Sequence, residues 1–284
     1  MKFNDSPIGI FDSGLGGLTV FKEIRKILPS EDLIYFGDTA RVPYGNKSKE
    51  TIIKYSSEIL EFLSAKGVKI VIVACNTSSS LALDDLRNKA AIPVFGVIEP
   101  GAKKAAQVSP LGNIAVIGTS ATIKSRAYSI AINKEFAFLD GDNNRRFNNY
   151  NYPKIIEKAC PLFVPIVEEG FLNEEITKSV IKYYLSSLIA ERPSCLVLGC
   201  THYPMLRDLI SAEIGSGTDI IDSGVETAAV VKDYLEKNGM LKAGEEKGGE
   251  LFFVSDDINK FKELGGKFLE RPIENVYLAD GVNI

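Results

Sequence analysis

The sequence predicts an α/β protein built as two pseudosymmetric domains, each a mostly parallel sheet flanked by helices, with an active site in the cleft between them. Three observations lead there. Short runs rich in Val and Ile alternate with longer segments of helical spacing, the pattern of parallel strands and their covering helices. Two strand-to-turn units each occur twice: IGIFDSGLGG (8–17) is echoed by IAVIGTSATI (114–123), and IVIVACNTSSS (70–80) by CLVLGCTHYPM (195–205). In the second pair both strands end in a cysteine, Cys75 or Cys200, followed by two polar residues.

Taken in chain order, the strands expected are Ile8 to Phe11, Leu33 to Phe36, Ile70 to Ala74, Val94 to Val97, Ile114 to Ile117, Leu196 to Leu198, Asp219 to Ile221, Leu251 to Val254 and Val276 to Leu278. Between them, Lys49 to Lys66 carries Ile52, Ile53, Tyr55, Ile59, Leu60, Phe62 and Leu63 on one broad face and stops at Gly67, where a left-handed cap is expected. Ile176 to Ala190 repeats that pattern. Open parallel sheets bind ligands beyond the carboxyl ends of their strands, so two related domains facing each other would bring both cysteines to one cleft. The first domain is placed at 1–98 rejoined by 213–284, and the second at 99–212. The chain then crosses near Glu99-Pro100-Gly101 and again in Gly215-Ser216-Gly217.

Composition narrows the class. With 284 residues, the chain has enough length for two domains with substantial cores. No apolar run approaches the ~20 residues that span a bilayer, and the apolar stretch Ile8 to Phe11 is stopped at once by Asp12, so no signal peptide is read and a cytoplasmic location is expected. Four scattered cysteines without a C-x-x-C pair read as free thiols. The formal charge of −4 with no dense Lys/Arg block leaves no footprint for nucleic acid or an anionic membrane. An anionic substrate must therefore be captured by local groups.

The turn Asp12-Ser13-Gly14-Leu15-Gly16-Gly17 follows a strand and invites a dinucleotide-binding reading, but it fails: a G-x-G-x-x-G run from Gly14 needs glycine where Thr19 stands. Asp12 would also push a carboxylate toward a pyrophosphate, and the lysine of a P-loop is missing. Two readings stay open for this turn. Its glycines can let backbone approach a ligand whose ammonium group meets Asp12 and Ser13, or it can be a tight turn with Asp12 as a helix cap.

Cys75-Asn76-Thr77 and Cys200-Thr201-His202 are the most informative positions. A strand cysteine is ordinarily a small buried hydrophobe, the reading given to Cys195. Cys75 and Cys200 differ because each ends a strand where a helix is expected to begin, and the unpaired N–H groups and dipole of a helix start lower a thiol's pKa. Those N–H groups, with Asn76, Thr77 and Thr201, can also hold a substrate carboxylate. His202, the one histidine in the chain, is either a satisfied structural residue or a group that orients Cys200 and shares its proton. Glu168 follows an apolar, proline-bounded run expected to be buried, and is either cleft-facing or half of a solvated Glu168-Glu169 pair. The loop Asp38 to Gly45 is either an ordinary turn or a carboxylate-binding segment. Metal-ligand spacing is absent, so no metal is expected.

Two thiols suit one particular reaction. Inverting an α-carbon takes a proton from one face and returns one to the other, which two opposed acid/base groups accomplish by exchanging roles. Without a cofactor as electron sink, the carbanion must be stabilised by oriented donors and a preserved ammonium charge.

The segments DSGLGGLTV (12–20), GDTARVPYG (37–45), ACNTSS (74–79), IGTSATI (117–123), CPLFVPIVEEG (160–170) and GCTHYPML (199–206) together resemble glutamate racemase, within the aspartate/glutamate racemase superfamily. The VPYG and CTHYP forms are similar to the glutamate branch. The resemblance implies a cofactor-independent enzyme, usually a homodimer, that interconverts L- and D-glutamate for bacterial peptidoglycan synthesis. It implies that Cys75 deprotonates D-glutamate and Cys200 L-glutamate, that Asp12, Glu168 and His202 assist them, and that Ser13, Pro43, Tyr44, Gly45, Asn76, Thr77, Thr119 and Thr201 contact substrate, along with Asp12 and His202. The Asn-rich segment Gly141 to Tyr152 does not align with the family pattern. The alternatives are a racemase for aspartate or another amino acid, a single-thiol decarboxylase, against which the second cysteine argues, and a binding protein without catalysis.

Overall fold

The computed structural model describes residues 3–141 and 153–279; residues 142–152 of the Asn-rich segment lie outside them. In chain order the elements are β1 (Ile8–Asp12), α1 (Leu18–Ile27), β2 (Leu33–Gly37), α2 (Lys49–Ala65), β3 (Ile70–Val73), α3 (Asn76–Leu81), α4 (Leu83–Lys89), β4 (Val94–Gly96), α5 (Ile98–Val108), β5 (Ile114–Gly118), α6 (Ser120–Ser125), α7 (Ala127–Gly141), β6 (Ile155–Ala159), α8 (Phe163–Glu168), α9 (Glu175–Ile189), β7 (Cys195–Gly199), α10 (Arg207–Ile214), β8 (Asp219–Asp222), α11 (Ser223–Lys237), β9 (Glu250–Val254), α12 (Ile258–Leu269) and β10 (Val276–Leu278). All nine expected strands are present, and Gly67 closes α2 with φ +73° as a left-handed cap. Among the described residues β6 is the additional strand.

The chain divides into two compact units, Met1–Val97 with Gly224–Ile284, and Ile98–Ser223. The first holds a six-stranded sheet of order β10-β9-β2-β1-β3-β4, the second a four-stranded sheet of order β6-β5-β7-β8, and every pairing is parallel. This is the two-fold α/β architecture read from the sequence. One boundary differs. The return to the first unit was expected at residue 213, but β8 pairs with β7 and completes the second sheet, so the crossing follows Ser223. The glycines at 215 and 217 instead turn the chain between α10 and β8.

Burial on both faces explains the uninterrupted apolar strands: β1, β2, β3, β5 and β7 are buried at every position. In the first unit, Phe21, Tyr35, Phe252 and Phe261 form an aromatic cluster on one face. Phe11, Phe36, Val71 and Val73 meet Ile59, Leu60 and Leu63 of α2 on the other. In the second unit, Ala102, Ala105 and Ala106 of α5 pack with Tyr128, Ile132 and Phe136 of α7 and with Val116 and Val197 of the sheet. Small alanines let that helix lie close.

A buried ion pair fastens the returning segment. Lys69, fully buried, places Nζ 2.6 Å from Glu31 and donates to the carbonyls of Asn4 and Met240 at 2.9 and 2.7 Å. Removing one partner of such a pair strands the other charge away from water. Lys69→Met is expected to destabilise the protein by about 3–5 kcal/mol, and adding Glu31→Gln should recover part of that loss. Urea titration of the single and double variants checks this; equal stability of wild type and Lys69→Met would remove the pair's role.

Candidate active site

In the first unit the register of the central strands builds the candidate site. Phe11 pairs with Val73 across β1 and β3, and Asp12 with Gly37 across β1 and β2, so the chain beyond these pairs sets Ser13 beside Cys75 and Asp38. Asp12 is completely buried, and its Oδ2 accepts the Gly14 N–H at 3.0 Å. Gly17 must be glycine there, because a Cβ would stand 2.4 Å from Asp12 Cβ. Cys75 is the N-cap of α3 and is buried, as are Asn76 and Thr77 in the helix's first turn.

The expectation of an acidified thiol is corrected at Cys75. Burial, and then the charge of Asp12, push it up to about 12, against the opposing pull of the Ser78 N–H and hydroxyl and of the Ser13 hydroxyl. A helix start of only six residues does not outweigh desolvation beside a carboxylate. Cys75 therefore rests as a neutral thiol. Ser78 was not singled out by the motif reading, although it stands three residues beyond a helix N-cap, where capping logic looks for a partner.

The loop after β2 is closed on itself. Asp38 is fully buried and accepts from Arg41 Nε at 2.7 Å, from Ser255 Oγ at 2.8 Å and from the Tyr44 hydroxyl. Arg41 also pairs with Glu58 and stacks 4.1 Å above the Tyr55 ring. The carboxylate-binding reading of this loop is thereby corrected as far as Arg41 is concerned, since its guanidinium serves internal carboxylates. The Tyr44 phenol is likewise spent on Asp38, and burial with that neighbouring charge holds its pKa well above the ordinary value. The tyrosine shares a packed cluster with Cys75. Pro43 and Gly45 flank it, Pro43 following a cis peptide bond.

In the second unit, Ile114 to Gly118 of β5 pair with Cys195 to Gly199 of β7, which sets Thr119 beside Cys200. Thr119 caps α6, accepting the Thr122 N–H at 3.2 Å. The helix expected directly after Cys200 is absent: a 3-10 turn spans Tyr203–Leu206 with His202 as its N-cap, and α10 begins only at Arg207. The dipole argument therefore does not carry to Cys200. A side-chain chain takes its place, with His202 Nδ1 3.9 Å from Cys200 Sγ and Nε2 3.0 Å from Glu168 Oε1. The solvated-pair reading of Glu168 is corrected: its carboxylate contacts His202, and of the pair only Glu169 is exposed. Burial opposes charge on His202, but its hydrogen bonds to Cys200 and Glu168, and their charges, prevail and push it up to about 10. The imidazole thus carries its proton at neutral pH, between the Glu168 carboxylate and the Cys200 sulfur. Thr201 is buried next to it.

Cys195 is a buried member of the second core, as read, and burial pushes its thiol up to about 12. Cys160 is buried as well, with its carbonyl accepting the Tyr203 hydroxyl at 2.9 Å. Among the described residues, no group of three or more His, Cys, Asp or Glu could hold a metal ion, and no helix is long and apolar enough to cross a membrane.

Fold and site together define a class: an α/β protein that presents a cysteine at the carboxyl end of a central parallel strand in each of two topologically matched sheets. A family model described as Asp/Glu/hydantoin racemase matches residues 8–231. A glutamate racemase from Geobacter metallireducens is 47% identical over 270 residues, covering 95% of each chain. Among solved structures, a glutamate racemase from Bacillus anthracis superposes with TM-score 0.89 at 36% identity, covering 98% of both chains. The Francisella tularensis glutamate racemase in complex with D-glutamate superposes with TM-score 0.85 at 36% identity, covering 97% of both. The chain belongs to the Asp/Glu/hydantoin racemase family and is an enzyme of that family, which bears out the resemblance read from its motifs.

The raised pKa of His202 gives a stability signature. Its contribution is fully present below the unfolded value near 6.5 and is lost as pH rises through about 10. The difference in Tm between wild type and His202→Asn is expected to be largest near pH 6 and to shrink steadily toward pH 10. Thermal melts across that range check it; a constant difference would mean that no charged imidazole is held.

Proposed function

We propose that the chain interconverts L- and D-glutamate without a cofactor, and that the D-glutamate feeds peptidoglycan synthesis. Cys75 is assigned the proton at Cα of D-glutamate and Cys200 that of L-glutamate. The observation that carries this reading is the matched pair of cysteines on β3 and β7, each with its own acid/base neighbours, in a chain whose relatives are glutamate racemases. The alternative of an aspartate enzyme is disfavoured by those relatives' identities of 46–48%.

In this reading a thiolate on one face removes the Cα proton and becomes a thiol, while the thiol on the other face gives up its proton and becomes a thiolate. The site returns to its starting charge with the roles exchanged. A thiol held near 12 is hard to ionise but yields a strong base, which is what a weakly acidic Cα–H requires. Ionising such a thiol at pH 7 costs on the order of 7 kcal/mol. The substrate's ammonium group, brought against Asp12 and Ser13, supplies the positive charge that lowers this cost. His202, held protonated by its hydrogen bonds to Cys200 and Glu168, is the donor serving Cys200. The N–H groups opening α3, with Asn76, Thr77, Thr119 and Thr201, are assigned to substrate oxygens, as is the Pro43-Tyr44-Gly45 backbone. A cytoplasmic homodimer completes the proposal.

Incubation of either enantiomer in D₂O is expected to place deuterium at Cα during racemisation, whereas a pure binder leaves the substrate protiated. Cys75→Ala and Cys200→Ala should each lower turnover by about 10²–10⁴-fold or more with the circular dichroism of the fold unchanged; full turnover by either variant rejects the assignment. His202→Asn should lower kcat unequally in the two directions, because it adjoins one thiol. The two values of kcat/KM must still fall together, since the enantiomers have equal free energy. Unchanged kinetics in both directions would exclude His202 from the reaction.

A further inference from the structure

Tyr35 belongs to none of the motifs that identify the family, and its ring is fully buried on β2. The ring packs against Phe21, Phe252 and Phe261 with centroids 6.0, 6.2 and 6.0 Å away, contacts that a phenylalanine would make equally well. Its hydroxyl donates 2.7 Å to the carbonyl of Gly14. The N–H of that same glycine lies 3.0 Å from Asp12 Oδ2. Gly14 is therefore clamped from two sides, its N–H by the carboxylate and its carbonyl by the phenol. Two further glycines close the arrangement. A Cβ on Gly17 would meet Asp12 Cβ at 2.4 Å and the Tyr35 hydroxyl at 2.9 Å, and one on Gly37 would meet the Gly14 oxygen at 2.7 Å. In a turn otherwise free to rotate about glycine, the carbonyl of Gly14 is thus fixed by a buried hydroxyl, while its N–H and the bonds Leu18 N–H to Leu15 O and Thr19 N–H to Gly16 O hold the rest.

We infer that Tyr35 is a positioning residue, which through Gly14 fixes the Asp12-Ser13 turn and so holds the Asp12 carboxylate at its place beside Cys75. Its effect on turnover rests on the proposed racemase reading; its effect on the thiol does not. The titratable groups that act on Cys75 among the described residues are Asp12 of β1, Tyr35 of β2 and Tyr44 of the following loop. Both phenols are held well above their ordinary range by burial and stay neutral, which leaves Asp12 as the governing charge.

The test is Tyr35→Phe, with iodoacetamide alkylation of each cysteine mapped by mass spectrometry between pH 8 and 12. Releasing the turn lets Asp12 move off, so the pH midpoint at Cys75 is expected to fall by about one unit, a tenfold change in ionisation, with the midpoint at Cys200 unmoved. Turnover should fall about tenfold with little change in Tm. General loosening would instead speed alkylation at every pH without moving the midpoint. Asp12→Asn should shift the midpoint by itself, and adding Tyr35→Phe to it should shift it no further, since the phenol acts through the carboxylate. An unmoved Cys75 midpoint in Tyr35→Phe, or shifts that simply add in the double variant, overturns the inference whatever happens to turnover. A moved midpoint in a protein that racemises nothing would sink the racemase reading and leave this inference standing.

Discussion

In-register parallel pairing of β1 with β3, and of β5 with β7, is the constraint on which the candidate catalytic groups of each unit depend. Parallel strands run their carboxyl ends to the same edge of the sheet, so residues that leave two neighbouring strands together remain neighbours. That register alone sets Ser13 beside Cys75 and Thr119 beside Cys200. The third strand of each set extends the row: Asp38 follows Gly37, partner of Asp12, and Cys160 follows Ala159, partner of Gly118. The rows Asp38-Ser13-Cys75 and Cys160-Thr119-Cys200 are thus topological equivalents, and the orders β2-β1-β3-β4 and β6-β5-β7-β8 match strand for strand.

Equivalent positions have diverged in ways that matter chemically. A carboxylate stands at the end of β1 where β5 ends in Gly118, and Thr77 occupies the place taken by His202 in the second unit. Cys75 is consequently flanked by a carboxylate from the neighbouring strand and by the start of a short helix, while Cys200 has an imidazole two residues away, itself anchored by Glu168 at the end of α8. Desolvation prevails at Cys75, whereas at His202 the hydrogen bonds to Cys200 and Glu168 and their charges together outweigh it. On the proposed reading, a reaction whose two directions start from mirror-image substrates has no need of mirror-image catalytic groups, because the thiol that is the base in one direction is the acid in the other.

Much of this was legible in the residues. Strands buried on both faces are written as unbroken runs such as IVIVA and CLVLG, and those were read correctly to within a residue or so. β6 was passed over because IIEKA lies at the edge of its sheet, only partly buried, and needs no apolar run. The duplication held the missing clue. Val42-Pro43 stands four residues after Asp38, and Val164-Pro165 stands four residues after Cys160, so the segment before Cys160 had to be the counterpart of β2. Pairing of β8 with β7, which moves the unit boundary, has no local signature, since GSGTDII reads equally well as a linker leading to a strand of either sheet. The resting state of Cys75 was also beyond reach, because a helix start is visible in a sequence while the burial that overrides it belongs to the folded chain.

On the proposed reading, burial of the Cys75 thiol answers what a carbon acid demands. A solvated thiolate of ordinary pKa is a minor species at neutral pH and a weak base for a Cα–H, whereas a desolvated one is a stronger base but scarcer still. Raising the pKa of Cys75 selects strength and transfers the difficulty to the moment of ionisation, when a cation must be near. Asp12 makes that difficulty larger in the empty site, since its negative charge disfavours a second one on the sulfur. Once an ammonium group lies against Asp12, the same carboxylate is neutralised as a source of repulsion and holds the cation where the new thiolate forms. On the proposed reading, a buried carboxylate beside the thiol therefore makes the base available only when an amino acid is bound, which keeps a reactive sulfur protonated in its absence.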